Sequence, residues 1–372
     1  MSHYRRATAL LLAAATSVSL GVATPLASAV PPAPVTPGSN AATAAVKDGF
    51  LTSQDGKSTP IYWKSQTIPN AKGTVVVVHG ASEHLGRYDY VSNRLLDAGY
   101  NVYRMDHRGH GKTGQVPGTP VPAAHIDDFR SLVDDVNLVT QKAKTENPGL
   151  KTFMLGHSMG AIAAQYYGIV YPGQVDGIIA NGGGAPMNLA GKKDRGEIIT
   201  PDEITDAQRK LNPTISELLP LTDLTSFNAH AAQQLIPGRT DLRIPSFPGS
   251  EKIFIPNILS TGVASDKAIS EDYKNDPLVN KGLTLGMVEQ VAIGGIFDGL
   301  NADKFTAPTL ITYGTKDGLV PSYFSVDWYN AISSQDKQLI GWEGQMHEVF
   351  NEPAKGQAMD TVIDWINKHN GA

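Results

Sequence analysis

Two kinds of hydrophobic pattern alternate along the chain, and together they predict its architecture. T-V-V-V-V at 74–78 is apolar on both faces, as in a strand buried inside a parallel sheet. Tyr88 to Ala98 then repeats apolar residues at helical spacing and stops at Gly99. Asn101 to Met105 reads as the next strand. Apolar residues at 126, 129, 133, 136 and 139 predict a helix to about Thr145, closed by Pro148-Gly149. Phe153 to Leu155 is a strand, Ala161 to Val170 a helix stopped by Pro172, and Val175 to Ala180 a further strand. Near the end come a strand at Thr309–Tyr313, a helix at Tyr323–Ile332, a strand at Gln338–Trp342 and an amphipathic helix at Ala354–Lys368. Upstream, Phe50–Thr52 and Ile61–Lys64 flank Asp55-Gly56 and are expected to pair across that turn. Alternating strands and helices imply a parallel sheet covered on both sides, with ligands at the carboxyl ends of the strands.

The rhythm breaks between about 185 and 300. Prolines recur there, and only short helical patches appear, such as Thr205–Leu211 and Leu283–Val291. A structureless loop of that length is improbable in a compact domain, so the segment is expected to be an inserted cap with helices of its own. The N-terminus breaks it differently. Arg5 and Arg6 precede an apolar run from Ala7 to Val22, and Ala27-Ser28-Ala29 follows, the layout of a secretory signal peptide over 1–29. Residues 30–46 are rich in proline and small residues and read as a disordered spacer. The remaining domain is then split into 47–184 and 301–372. The mature chain is expected to be exported, and either soluble or only peripherally attached to membrane or cell envelope. The net charge of −5 leaves no electrostatic footprint for nucleic acid. With no cysteine, disulfides, thiolate metal sites and cysteine nucleophiles are excluded. Nothing in the pattern decides the oligomeric state.

The candidate chemistry gathers at predicted strand ends. G-H-S-M-G at 156–160 sits between a strand and a helix, the context of a nucleophile elbow that would expose Ser158 at a helix N-terminus. A serine hydroxyl needs an imidazole to take its proton and an acid to hold that imidazole. Of the histidines after Ser158, His230 falls in the cap, His369 lies at the C-terminus, and His347 follows a strand. His347 is therefore the candidate base. Asp317 follows the strand T-L-I-T-Y-G and is the candidate acid; Asp276 and Asp298 lack a preceding strand. The amides of Met159 and of Ala81, in H-G-A at 79–81, are the candidate oxyanion donors. Glu83, His84 and Arg87 are read as pinning that loop. His107 and His110 stand three apart, but the loop is Gly-rich and no acid cluster converges on it, so neither a metal nor a cofactor is expected.

Five ordered segments carry a resemblance: V-V-H-G-A-S-E-H-L-G-R-Y at 77–88, M-D-H-R-G-H-G at 105–111, L-G-H-S-M-G at 155–160, Y-G-T-K-D-G-L-V-P at 313–321 and Q-M-H-E-V-F-N-E at 345–352. With D-P-L-V at 276–279, the chain resembles the monoacylglycerol lipase and lysophospholipase branch of the α/β-hydrolases, also called serine aminopeptidase S33-like. The resemblance covers about 47–370. It implies an α/β-hydrolase fold: a mostly parallel eight-stranded sheet, helices on both faces, and a mainly helical cap. It also implies Ser158, Asp317 and His347 as a triad, with Ala81 and Met159 as oxyanion donors. The chain departs from the branch at Ser82 and Ala161, where relatives often carry glycine. The function expected is an exported serine esterase or lipase acting on acyl esters of monoacylglycerols, lysophospholipids or envelope glycolipids. A serine aminopeptidase, an acyltransferase and a non-catalytic binding module are the alternatives. Apolar cap residues Phe247, Ile253, Phe254, Ile255, Ile258 and Leu259 would either line an acyl tunnel or form the cap's own core.

Overall fold

The computed structural model describes residues 38–185 and 238–371, apart from 247 and 258. Its strands are β1 (Ala45–Thr52), β2 (Pro60–Thr67), β3 (Gly73–Val78), β4 (Tyr100–Met105), β5 (Lys151–His157), β6 (Gly177–Asn181), β7 (Phe254–Pro256), β8 (Gly282–Thr284), β9 (Thr309–Gly314) and β10 (Lys337–Trp342). Eight of them form one sheet in the order β1-β2-β4-β3-β5-β6-β9-β10. β2 runs antiparallel to β1 and β4, and the other pairs are parallel. The expected hairpin around Asp55-Gly56 is present, with Leu51 opposite Ile61.

The main helices are α1 (Asp89–Asp97), α2 (Phe129–Glu146), α3 (Met159–Val170), α4 (Lys267–Asn275), α5 (Leu285–Asn301), α6 (Ser322–Ala331) and α7 (Lys355–Asn370). The four valines of β3 show why the sheet is covered twice. Val76 and Val78 enter one core with Phe129, Val136 and Ala163. Val75 and Val77 enter the other with Leu95, Val362 and Trp365. Side chains alternate across a strand, so a continuous apolar run satisfies both layers at once.

Two boundaries differ from those read in the sequence. Residues 38–46, placed in the spacer, are ordered. Ser39–Thr43 forms a helical turn whose Gly38 and Ala41 amides donate to the Asp97 carboxylate at 2.8 and 3.0 Å. β1 then begins at Ala45. The Asp97 anchor and the packing of Ala41 and Ala44 on the core hold the turn, and ladder hydrogen bonds hold Ala45 and Val46 although their side chains are exposed, which composition does not reveal. The second difference is α5. It lies within 185–300 but packs on α2 and α3: the Phe129 ring fills the space beside Gly294, and Phe297 stacks on Tyr166 at 3.7 Å. It belongs to the core, so the insertion closes near 284. A helix buried on all sides shows no polar face to mark its period. The described part of the insertion, 238–284, holds α4 and the β7–β8 ribbon. The leader over 1–29 and the patch at Thr205–Leu211 lie outside the described residues. No described helix is long and apolar enough to cross a membrane.

The Gly-rich loop after β4 is bound by a buried ion cluster. The Arg108 side chain is sealed from solvent and donates to Asp135 at 2.8 Å, Asp127 at 2.7 Å, Ser53 at 3.2 Å and Asp55 at 3.4 Å. It thereby ties the β1–β2 turn to the start of α2.

Candidate active site

The elbow between β5 and α3 places Ser158 at φ 55° and ψ −122°, a conformation that L-residues rarely adopt. Its flanking glycines are required by space. A Cβ at Gly156 would stand 2.2 Å from the Gly160 carbonyl oxygen, and one at Gly160 would stand 2.2 Å from the Val78 carbonyl oxygen. The turn is fixed further by the Ser158 amide, which donates to Asn181 O at 2.9 Å. Ser158 thus stands at the start of α3, where the helix dipole favours negative charge.

Asp317 and His347 approach from the loops after β9 and β10. His347 Nδ1 lies 2.7 Å from Asp317 Oδ2. The other carboxylate oxygen accepts the Leu319 and Val320 amides, each at 2.9 Å. The carboxylate is therefore oriented by its partners, and the bond to Nδ1 leaves the Nε2 lone pair of His347 free to accept a proton. Burial alone would lower the His347 pKa. The net direction is upward, because Asp317, with Glu348 and Glu83, favours the charged imidazole.

Ser158 and His347 line one cleft with Ala81 and Met159, whose empty space, open solvent at its mouth included, is about 550 Å³. Ile162, Leu259, Val291 and Leu319 supply apolar wall. The loop carrying Ala81 comes close to the serine: a Cβ on Gly80 would stand 3.0 Å from Ser158 Cβ. Glu83 accepts the Gly80 amide at 2.6 Å, the Tyr88 hydroxyl at 2.6 Å and Arg87 Nε at 3.2 Å. Arg87 Nη2 also donates to both Glu348 carboxylate oxygens, at 2.8 and 3.0 Å. Burial, with the Glu348 charge, pushes the Glu83 carboxyl up.

The other candidates fall elsewhere. Asp276 pairs with His84 Nε2 at 2.8 Å, and His369 bonds Trp365 O and Asp336. Asp298 lies on α5, fully buried, with neither carboxyl oxygen hydrogen-bonded; burial raises its pKa well above the carboxylate range. His230 lies outside the described residues. Of the cap residues considered for an acyl tunnel, Leu259 lines the cleft, Ile253 packs on Leu285 and Ala292, and Phe254 is 60% exposed. Phe247 and Ile258, with the Ile255 side chain, lie outside what is described. His79, His107 and His110 form a buried cluster with ring centroids 4.4 to 6.1 Å apart. Burial pushes His107 down to about 3 and His110 to about 4, so both are neutral packing groups. Among the described residues no group of three or more His, Cys, Asp or Glu could hold a metal ion.

Ser82 has φ +66° and a fully buried hydroxyl without a hydrogen-bond partner. Ser82→Gly should stabilise the protein by about 1–2 kcal/mol, since it removes both a left-handed L-residue and an unsatisfied hydroxyl. A urea midpoint that stayed the same or fell would contradict that account.

Fold and site together define an α/β-hydrolase of the serine type. The serine aminopeptidase S33 family pattern matches residues 69–354. The monoacylglycerol lipase of Mycolicibacterium smegmatis is 30% identical, over 82% of this chain and 91% of its own. The human monoglyceride lipase is 28% identical, over 78% and 80%. Two solved structures share the fold: the Paleococcus ferrophilus monoacylglycerol lipase, with a TM-score of 0.60, 22% identity and coverage of 83% of this chain and 99% of its own, and a Saccharomyces cerevisiae monoglyceride lipase variant, with a TM-score of 0.60, 19% identity and coverage of 86% and 94%. The chain belongs to the serine aminopeptidase S33 family, in its monoacylglycerol lipase branch, and is a serine ester hydrolase.

Proposed function

We propose that the protein is an exported lipid esterase that cleaves monoacylglycerols and related single-chain acyl esters through Ser158, His347 and Asp317. The observation that carries this reading is the His347–Asp317 pair, at 2.7 Å, opening on the same cleft as Ser158 beside an apolar wall. Ser158 attacks the ester carbonyl while His347 Nε2 takes its proton. The Ala81 and Met159 amides receive the developing oxyanion. His347 then protonates the leaving alcohol. In the second half, His347 deprotonates a water that releases the fatty acid and restores the serine. Export is supported by the leader-like pattern at 1–29. The head group is supported by the naming of relatives such as that of M. smegmatis.

The test is a panel of esters varying in acyl length and alcohol, with prolyl and alanyl anilides alongside. Hydrolysis of medium- and long-chain monoacyl esters, with the anilides untouched, is the expected result. Anilide cleavage without ester cleavage would make the protein an aminopeptidase. Acyl transfer to an added alcohol in preference to water would make it a transferase. Activity requires neutral His347, whose pKa is raised, so the acid limb of kcat/KM should have its midpoint above about 6.5, the ordinary imidazole value. A midpoint below that value would show that another group controls the reaction.

A further inference from the structure

The loop that carries Ala81 is held largely from outside the sheet. Three consecutive residues of it each use a backbone polar group. The Gly80 amide donates to Glu83, within the loop. The Ala81 carbonyl accepts the Tyr273 hydroxyl of α4 at 3.3 Å. The Ser82 carbonyl accepts the Asn280 amide at 2.8 Å. Two of the three restraints therefore come from the insertion. They are joined to each other, because Asn257 Nδ2 donates both to the Tyr273 hydroxyl at 3.4 Å and to Asn280 O at 2.7 Å. Between them, Asp276 holds His84, two residues beyond Ser82, at 2.8 Å.

Tyr273 is placed for this role. Its ring is buried, and the Arg87 guanidinium sits over it, 4.8 Å from the centroid. Burial keeps its hydroxyl protonated across the working pH range, so a proton is always available for the Ala81 carbonyl. The loop needs such a restraint. Ser82 occupies a left-handed backbone region that costs about 1–2 kcal/mol for an L-residue, and relaxation there would rotate the neighbouring peptides. The amide that faces the oxyanion is one peptide away.

We propose that the segment Tyr273–Asn280 is a clamp that sets the orientation of the Ala81 amide, and that Tyr273 is a positioning residue for the reaction. This rests on the reading of Ala81 as an oxyanion donor. The insertion then does two separate jobs: it walls the cleft through Leu259 and Val263, and it completes the geometry of a core loop through Tyr273.

Tyr273→Phe keeps the ring and removes only the hydroxyl. Losing one such hydrogen bond should lower kcat by about three- to tenfold. The fall should be alike for glyceryl, methyl and p-nitrophenyl esters of one fatty acid, with KM and the acid limb of the pH profile unmoved. Affinity for an alkyl boronate, a mimic of the tetrahedral intermediate, should fall by the same factor. Asp276→Asn, which weakens the tie to His84, should show the same pattern more weakly, and circular dichroism checks that both variants are folded. Unchanged kcat in both would overturn the clamp. So would a loss confined to glyceryl esters or to KM, which would make Tyr273 a contact for the alcohol. Failure of the underlying reading looks different: wild type itself would cleave none of the esters, and the clamp would fall with it.

Discussion

Ser158→Ala should abolish ester hydrolysis while leaving the molecule folded. In triads that act as a unit, loss of the nucleophile costs roughly a millionfold in kcat. What survives is the slow attack of water on an ester held by the oxyanion amides, about 10³–10⁴ above the uncatalysed rate in a comparable enzyme. The elbow is built so that the alanine is tolerated. Alanine keeps the Cβ that the turn already accommodates, the Ser158 amide still bonds Asn181 O, and the left-handed strain is carried equally by both residues. The thermal midpoint should therefore move little. Steady-state assay with a short soluble ester, beside labelling by a fluorophosphonate, measures both sides. A folded variant retaining more than about one hundredth of wild-type kcat, or still labelled, would remove Ser158 from the mechanism.

Arg108→Met should cost about 3–5 kcal/mol of stability, the usual result of taking one partner from a buried charge cluster. The arginine serves Asp135, Asp127 and Asp55 at once, and methionine restores volume without charge. The pH dependence supplies a second signature. Burial already pushes Asp135 up to about 6, against the pull of Arg108. A carboxyl with a folded pKa above its unfolded value makes the fold less stable as pH rises through that interval. Without the guanidinium that interval extends further upward. The variant's deficit should be largest well above pH 6 and should narrow as the pH falls to about 6, below which Asp135 is protonated in both folded proteins. Urea titrations across that range decide it. A deficit below about 1 kcal/mol, or one independent of pH, would mean that the cluster holds little of the fold.

Much of the fold and of the candidate site was legible because each local signal agreed with the next. Four valines can sit only where both faces are dry. Gly156 is demanded by a contact of its own turn and Gly160 by the close approach of β3 at Val78. Asp317 and His347 were separable from Asp276, Asp298 and His369 because each directly follows a strand, and a strand end in a parallel sheet is a position in space as well as in sequence. What stayed hidden depends on contacts between distant segments. Nothing around Tyr273 signals that its hydroxyl meets a carbonyl 192 residues upstream. Glu352 closes the segment Q-M-H-E-V-F-N-E, yet nothing there signals that it accepts the Ser265 and Met346 amides and so braces the His347 loop. α5 was visible only in its first half, as the patch Leu283–Val291, and was assigned to the cap, for the opposite reason. Burial on every side erased the polar stripe by which a helix is recognised.

The helical turn at Ser39–Thr43 has a directional consequence. Its anchor, Asp97, is the last residue of α1, which starts after β3 at the cleft edge and runs back to where β4 begins. Residue 38 therefore emerges at the opposite edge of the sheet, about 20 Å away for a six-residue strand. Anything tethered through the first 37 residues would pull on the rear of the molecule and leave the mouth of the cleft facing outward. A fusion partner or immobilising tag placed there should not obstruct the approach of substrate.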